Sequence, residues 1–330
     1  KIGRKNNINS KIIGWLKLLY TKFVHIPDQY IGWYFSAVKK SNNIIDAGFI
    51  PDIIFSSATP YTSHLVAKKV SNKYNIPWIA EFRDLWSDNH NRMSSLFDRW
   101  LEKNTMHNSK AMITVSEPLT KILINKYKQP IYTIQNGFDP EDFSFQVSGI
   151  ISQKINIVYT GSIYENKMDP SPLFIALAAN KDLQNNVVLN FYGNSSNFIS
   201  DLSKKYNLES IVKIHDLVPR SEILNIQKKA DILLLLTWND PKQKGILTGK
   251  FFEYIASGNA ILSIGAFKDT PSEIVVEDKF GIATNDPEEI TKFISSYQKG
   301  KYNNNLINRN KYDRQIQINK LAEIIDKHAN

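Results

Sequence analysis

Residues 231–265 read DILLLLTWNDPKQKGILTGKFFEYIASGNAILSIG. The run Ile232–Leu236 is apolar without alternation and of strand length, the pattern of a strand covered on both faces. The spacing predicts a strand over 231–236, a helix over 249–257 and a second strand over 260–264. Strand, helix, strand in this order is the repeating piece of a parallel sheet with helices packed against it.

Working outward, the same alternation fills the chain. Strands are predicted over 52–58, 78–82, 111–115 and 131–134, with helices over 62–74, 92–107 and 117–127. The pattern restarts with strands over 155–160, 187–192 and 211–214 and helices over 170–179, 197–206 and 220–229. Further helices are expected near 287–298 and 313–328. Two α/β units with parallel, doubly wound sheets are therefore expected, in keeping with 330 residues and 37.9 kDa. We assign 1–145 to a first domain and 146–310 to a second, with 311–330 as a terminal helix that returns to the first. The polar stretch 139–153 reads as the linker between them, the Asn136–Gly137 turn as a structural hinge, and the Lys/Asn-rich 299–311 as a surface loop.

Composition removes several function classes. Apolar residues make up 42% and charged residues 22% of the chain, which is globular. The absence of cysteine excludes disulfide frameworks, thiolate metal sites and cysteine nucleophiles. The six histidines show no paired ligand spacing, so no metal site is expected. No apolar run approaches the roughly 18–20 residues that span a bilayer. The sequence begins at Lys1 with no signal-like pattern, and cytoplasmic residence is the expectation.

The charge is concentrated at one end. Residues 1–40 hold eight Lys/Arg against Asp28 alone, so +7 of the total +9 lies there. That distribution argues against a nucleic-acid-binding surface and for a local anionic partner. Within it, Ile12, Ile13, Trp15, Leu16, Leu18, Leu19, Tyr20, Phe23 and Val24 form a broad apolar helical face with Lys11, Lys17 and Lys22 toward the other side. Residues 11–24 therefore suit an anionic membrane surface, or alternatively a helix packed on its own domain with solvated lysines.

In open α/β sheets ligands bind beyond the carboxyl ends of the strands. The residues there are Arg83, Asp84 and Trp86; Ser56 and Ser57, with His64 on the following helix; Gly161 and Ser162; and the loop of residues 237–250. That loop sets Lys242, Lys244, Gly245, Thr248, Gly249 and Lys250 just before or within the start of the helix FFEYIAS. A helix N-terminus offers free N–H groups and the positive end of a dipole, and glycines let a diphosphate come close. Glu253, one turn inside, is at the reach needed to accept two hydrogen bonds from a ribose. The competing reading is a solvated basic loop with Glu253 in an intrahelical pair.

The runs GILTGKFFEYIASGNAILSIG, PDIIFSSATPYTSHLVA, IPWIAEFRDLW, TVSEPL, IQNGFDPEDF, NIVYTGSIY and YDRQIQINKLAEII resemble, in order over residues 52–328, glycosyltransferase family 4. The resemblance implies the GT-B fold: two Rossmann-like domains with parallel sheets facing across a cleft, the first for the acceptor and the second for a nucleotide-sugar donor. It also implies transfer with retention of configuration and without a metal ion, and the sequence lacks the carboxylate pair D-x-D.

Carried over position by position, Glu253 matches the second glutamate of the E-x7-E motif, which holds the donor ribose. The first glutamate's position falls on Gly245, so sugar recognition is expected from other groups, such as backbone amides of 245–248. The family's G-R-x5-K phosphate motif appears as Gly161, Ser162 and Lys167, with Met168 in the lysine's formal slot; Lys167, Lys244 and Lys250 are expected to supply the charge. Gly193 permits close approach beneath the donor, and Leu217 and Val218 fall where the nucleobase lies. The family's histidine near the reacting sugar would align on Arg83 or Asp84, which are assigned to acceptor orientation or diphosphate charge. Trp86 is assigned to stacking on a sugar and His64 to an acceptor contact. The competing readings are a buried Arg83–Asp84 ion pair that only braces its loop and a purely structural His64.

Family members begin with a strand, a glycine-rich loop and a helix, and nothing before Asp52 reads that way, so about 60–90 preceding residues are expected to be missing. The resulting expectation is a transferase moving a hexose or N-acetylhexosamine from a nucleotide diphosphate sugar, UDP-linked by preference, with no other cofactor. The acceptor is expected to be a lipid-linked glycan at the inner face of the plasma membrane, as in O-antigen or capsule assembly. Its rivals are a GT-B sugar-nucleotide epimerase and a nucleotide-sugar-binding protein without turnover.

Overall fold

The computed structural model describes residues 26–89, 92, 94–143, 154–194, 196–240, 244–266, 269–297 and 306–329. Residues 11–24, Lys242 and the 144–153 part of the expected linker lie outside these. The chain divides into two compact units, one up to Ile134 and again from Leu321, the other Gln135–Lys320.

The first unit opens with helix α1 (Tyr34–Asp46), followed by β1 (Ile54–Ala58), α2 (Thr62–Tyr74), β2 (Trp78–Phe82), α3 (Leu96–Met106), β3 (Ala111–Thr114), α4 (Glu117–Ile124) and β4 (Ile131–Thr133). All four strands are parallel, in the order β1-β2-β3-β4. Successive side chains of a strand point to opposite faces. Trp78, Ala80 and Phe82 accordingly join a core with Ala67, Met106 and Leu123, while Ile79 turns with Ala111 and Ile113 to the other side.

The second unit holds β5 (Ile155–Thr160), α5 (Ser171–Ala179), α6 (Lys181–Asn186), β6 (Val187–Tyr192), α7 (Ser196–Lys205), β7 (Val212–His215), α8 (Arg220–Lys229), β8 (Ile232–Leu236), α9 (Gly249–Ser257), β9 (Ala260–Ile264), α10 (Thr270–Glu277), β10 (Gly281–Ala283), α11 (Pro287–Ser296) and α12 (Leu306–Asn310). Its sheet runs β10-β9-β8-β5-β6-β7, again parallel. The decisive run Ile232–Leu236 is β8, buried throughout. Ile232, Leu234 and Leu236 enter one core and Leu233 and Leu235 the other, as a strand covered on both faces requires.

The last helix, α13 (Arg314–Ala329), spans both units. Its second half belongs to the first, where Leu321, Ile324 and Ile325 pack on Ile79, Ala111 and Ile113. The unit boundary falls at residues 134/135, ahead of the 139–153 linker. The reason is packing: Phe138 and Phe143 are buried in the second unit's core beside Phe251, Phe252 and Tyr312. Gly137 sits against backbone, and a β-carbon on it would meet the Tyr312 carbonyl oxygen at 2.5 Å.

Several elements differ from expectation. Helix α3 starts at Leu96 rather than at 92, because Ser95 and Asp98 close a reciprocal capping box that fixes its first turn. Helix α10 was not anticipated, although Asp269 caps the Ser272 amide and proline stands in the first turn. Helix α1 lacks a side-chain cap and carries a polar run, so sequence gives it no start signal.

Candidate donor site in the second unit

The carboxyl ends of β5 and β6 meet through glycine. Gly161 and Gly193 both adopt positive φ, +115° and +148°. A β-carbon on Gly193 would lie 2.1 Å from the Gly161 carbonyl oxygen, so no side chain fits there. Each glycine extends the ladder by one bond: Gly161 N–H donates to the Tyr192 carbonyl (2.8 Å) and Gly193 N–H to that of His215 (3.2 Å).

Lys250, in the first turn of α9, reaches toward this pair. A β-carbon on Gly161 would stand 3.6 Å from Lys250 Nζ. The amine donates to the Tyr159 hydroxyl at 2.9 Å and lies 4.3 Å from the centre of that ring. Tyr159 in turn donates to the Ser162 carbonyl at 2.8 Å, which makes it the link between β5, its loop and α9. Burial pushes the Lys250 pKa down to about 8, and no ion pair among the described residues offsets that cost. An amine stripped of water and left without a counter-charge attracts an anion more strongly than a solvated one.

The helix end itself is open. Thr248 is the N-cap residue, but its side chain accepts no hydrogen bond from the first turn, so orphan amides remain there. A β-carbon on Gly249 would meet nothing within 4 Å beyond the helix's own backbone and its chain neighbours. Glu253, one turn on, is partly buried and pairs outside its own helix. Gln227 Nε2 donates to its Oε2 at 3.1 Å, and Arg220 Nε lies 3.5 Å from Oε1. An intrahelical pair is thereby replaced by two contacts from α8. Each carboxylate oxygen retains acceptor capacity beyond these single partners.

Behind the carboxylate, Gln227 also donates to Thr160 Oγ1, and the buried Tyr254 hydroxyl meets both the Thr160 amide (3.0 Å) and its hydroxyl (3.1 Å). This network fastens α9 and α8 to the end of β5. Lys167 sits 3.8 Å from the Trp238 ring centre, and its carbonyl accepts from the Asn239 amide at 2.8 Å, so the loops after β5 and β8 are joined. Ser162 and Lys244 are exposed.

Gly245 departs from expectation. It is buried with φ +91°, and its amide is already spent on Thr270 Oγ1 at 3.1 Å, which removes it as a sugar-recognising donor. Leu217 is exposed, and Val218 lines an open depression of about 760 Å³ with Tyr192, Ile214, His215 and Glu222. Tyr192 and His215 stack there face to face, 4.2 Å apart with 8° between planes. Burial, then Lys213, lowers the His215 pKa.

The acceptor-side assignments in the first unit divide. Arg83 and Asp84 follow β2 with exposed side chains, so they do not form a buried ion pair. Trp86 is fully buried and stacked on Tyr61 at 5.2 Å, with Asp98 near its indole nitrogen, so it cannot stack on a sugar. His64 is also fully buried, between Trp78 and Phe82, with Nδ1 bonded to Ser56 Oγ at 2.8 Å. Burial lowers its pKa to about 3, and the surrounding side chains close its ring off from an acceptor.

Sequence reasoning passed over Tyr159, Arg220, Gln227 and Tyr254. Tyr159 and Tyr254 stand in the quoted runs NIVYTGS and FFEYIAS, but aromatic residues in a strand and a helix read as core. Arg220 follows Pro219 at a helix start, where its reach to a residue thirty-three positions later leaves no local trace.

Residues 18–142 match Glycosyltransferase Family 4, and the two parallel α/β units have the GT-B fold of the solved structures below. No curated protein matches the sequence. Among solved structures, the chain is similar to HepE of Anabaena in complex with UDP, with 17% identity and a TM-score of 0.68 over 88% of this chain and 82% of that one. It is similar to a glycosyltransferase from Rickettsia africae, with 15% identity and a TM-score of 0.66 over 89% and 81%. It is also similar to the sucrose-phosphate synthase of Thermosynechococcus elongatus, with 12% identity and a TM-score of 0.62 over 89% and 78%.

Proposed function

We propose that this protein transfers a hexose or N-acetylhexosamine, with retention and without a metal ion, from a UDP-linked donor to a lipid-linked glycan. The observation that carries this reading is the desolvated, unpaired Lys250 on Tyr159, beside the Gly161–Gly193 contact and the open end of α9, with Glu253 one turn along. Glu253 binds the ribose hydroxyls, while Lys250 and the first amides of α9 take the diphosphate. The depression at Val218 receives the base. HepE, a protein of the same fold, binds UDP and UDP-glucose.

In this scheme the bond from the anomeric carbon to the diphosphate breaks, and charge grows on the departing oxygen next to Lys250 and the helix amides. Groups held in place before the reaction stabilise that charge without reorganising. The departing diphosphate accepts the proton of the acceptor hydroxyl, so the protein needs no separate base. Exposed Arg83 and Asp84 orient the acceptor, and the basic residues 11–24 hold the enzyme at the inner face of the plasma membrane.

Gly245 and Ser162, where the family carries glutamate and arginine, favour a second reading: a protein that binds the donor without turning it over. Incubation with UDP-, GDP- and ADP-linked sugars decides between them. Release of UDP from a UDP-sugar in the presence of a lipid-linked acceptor supports transfer; tight UDP binding with no release from any sugar supports the binding protein.

A further inference from the structure

Helix α3 is amphipathic in the wrong sense for a solvated surface. Its two carboxylates point inward: Asp98 and Glu102 are 4% and 1% exposed. Leu96, Phe97 and Trp100 point outward at 83%, 53% and 58% exposure, with Phe97 and Trp100 stacked at 5.6 Å. Arg99 and Lys103, one turn apart and both exposed, flank them. Neither makes an ion pair among the described residues.

The inward carboxylates explain why α3 is pinned in this orientation. Glu102 accepts from Lys126 Nζ (2.7 Å), the Tyr127 hydroxyl (2.9 Å) and the Ser87 amide (3.0 Å). Asp98 takes Arg92 Nη2 at 2.6 Å and closes the helix cap. The helix cannot roll to hide its aromatic ridge without breaking these buried bonds, each costly to lose. Exposure of the ridge is therefore built in.

Beside the ridge, a depression of about 340 Å³ is lined by Ser87, Asp88, Asn89, Arg92, Ser94 and Arg99. Asp88 shares the Lys126 ammonium with Glu102, at 2.8 Å. Arg92 Nη1 and Ser94 Oγ are buried behind that lining, with no hydrogen-bond partner among the described residues. Two exposed cations, Arg99 and Lys103, thus lie beside a Leu-Phe-Trp ridge. That combination fits a membrane surface: aromatic side chains settle at the depth of the headgroups, and cations meet lipid phosphate.

We infer that the exposed face of α3 is a second membrane contact, in which Leu96, Phe97 and Trp100 insert among the headgroups of an anionic bilayer and Arg99 and Lys103 hold lipid phosphate. The inference extends the proposed membrane-side function but involves different residues from 11–24.

The test uses the full chain and vesicles of phosphatidylcholine with and without phosphatidylglycerol, in co-sedimentation. Arg99→Glu/Lys103→Glu should weaken binding to the anionic vesicles by at least about 25-fold, taking about fivefold for each cation removed. Leu96→Ser/Phe97→Ser/Trp100→Ser should weaken it too, with UDP binding and thermal unfolding unchanged because these side chains cover no core. Lipids brominated in the upper acyl chain should quench the parent's fluorescence more than that of Trp100→Phe. Equal sedimentation of parent and both α3 variants overturns the inference, even where charge reversal at Lys11, Lys17 and Lys22 abolishes binding and so upholds the wider membrane reading. It is equally overturned if the triple variant turns a dimer into a monomer with vesicle binding unaltered, since the ridge is then a contact between copies.

Discussion

The Lys250 amine donates to the Tyr159 hydroxyl at 2.9 Å, joining the first turn of α9 to the end of β5 within the second unit. The bond gives the ammonium one neutral partner in a desolvated place, which leaves most of its charge available to a ligand.

That arrangement sets a pH dependence. Burial holds Lys250 down to about 8 in the free protein, and a bound diphosphate must raise it. UDP affinity is therefore full below pH 8 and falls as the pH climbs from there toward the pKa of the complex. Titration calorimetry across pH 7–10 checks this: Lys250→Met should remove the step. Tyr159→Phe should shift it to lower pH, because the ammonium loses its hydrogen-bond acceptor.

The two glycines near the site predict opposite substitutions. Gly193→Ala places a β-carbon 2.1 Å from the Gly161 carbonyl oxygen at φ +148°. It should cost about 1–3 kcal/mol or more in strain, lowering the melting temperature by several degrees for a unit of this size. Gly249→Ala meets nothing within 4 Å, so stability should hold or rise by about 0.4–1 kcal/mol. UDP binding should nevertheless weaken, since the added methyl occupies the diphosphate's path to the helix amides. Paired melting curves and UDP titrations separate the two effects.

His64 predicts an acid sensitivity in the first unit. Its pKa is lowered to about 3 by burial, against an ordinary 6.5. The unfolded chain then binds the extra proton, and stability is lost as pH falls below 6.5. Denaturant unfolding of the parent should weaken between pH 6.5 and 4. In His64→Phe that slope should flatten, whatever its stability at pH 7.

How much of this was legible in sequence follows from what each residue depends on. β8 was readable because Ile232–Leu236 has no polar face, and α9 because Gly249 through Ser257 carries one apolar stripe after a glycine-rich loop. Glu253 and Lys250 were readable from their distance to that helix start. Trp86 and His64 were misread because strand-end position says nothing about burial: the chain turns both inward, onto Tyr61 and between Trp78 and Phe82. The Glu253–Arg220 contact and the Gly245–Thr270 bond join residues far apart in the chain. Only the packed sheet brings them together. The orientation of α3 was hidden for the same reason, since its carboxylates are drawn inward by Lys126 and Arg92 from other segments.

The central claim is that α9 carries the nucleotide diphosphate, with Glu253 on the ribose and Lys250 on the phosphates. Calorimetry of uridine, UMP and UDP against Glu253→Ala and Lys250→Ala tests it most directly. Glu253→Ala should weaken all three ligands by a similar amount, on the order of 1.5–3 kcal/mol for hydrogen bonds to a charged group. Lys250→Ala should leave uridine unchanged and penalise UDP most. Retention of parental UDP affinity by Glu253→Ala would contradict the account and remove α9 as the donor site.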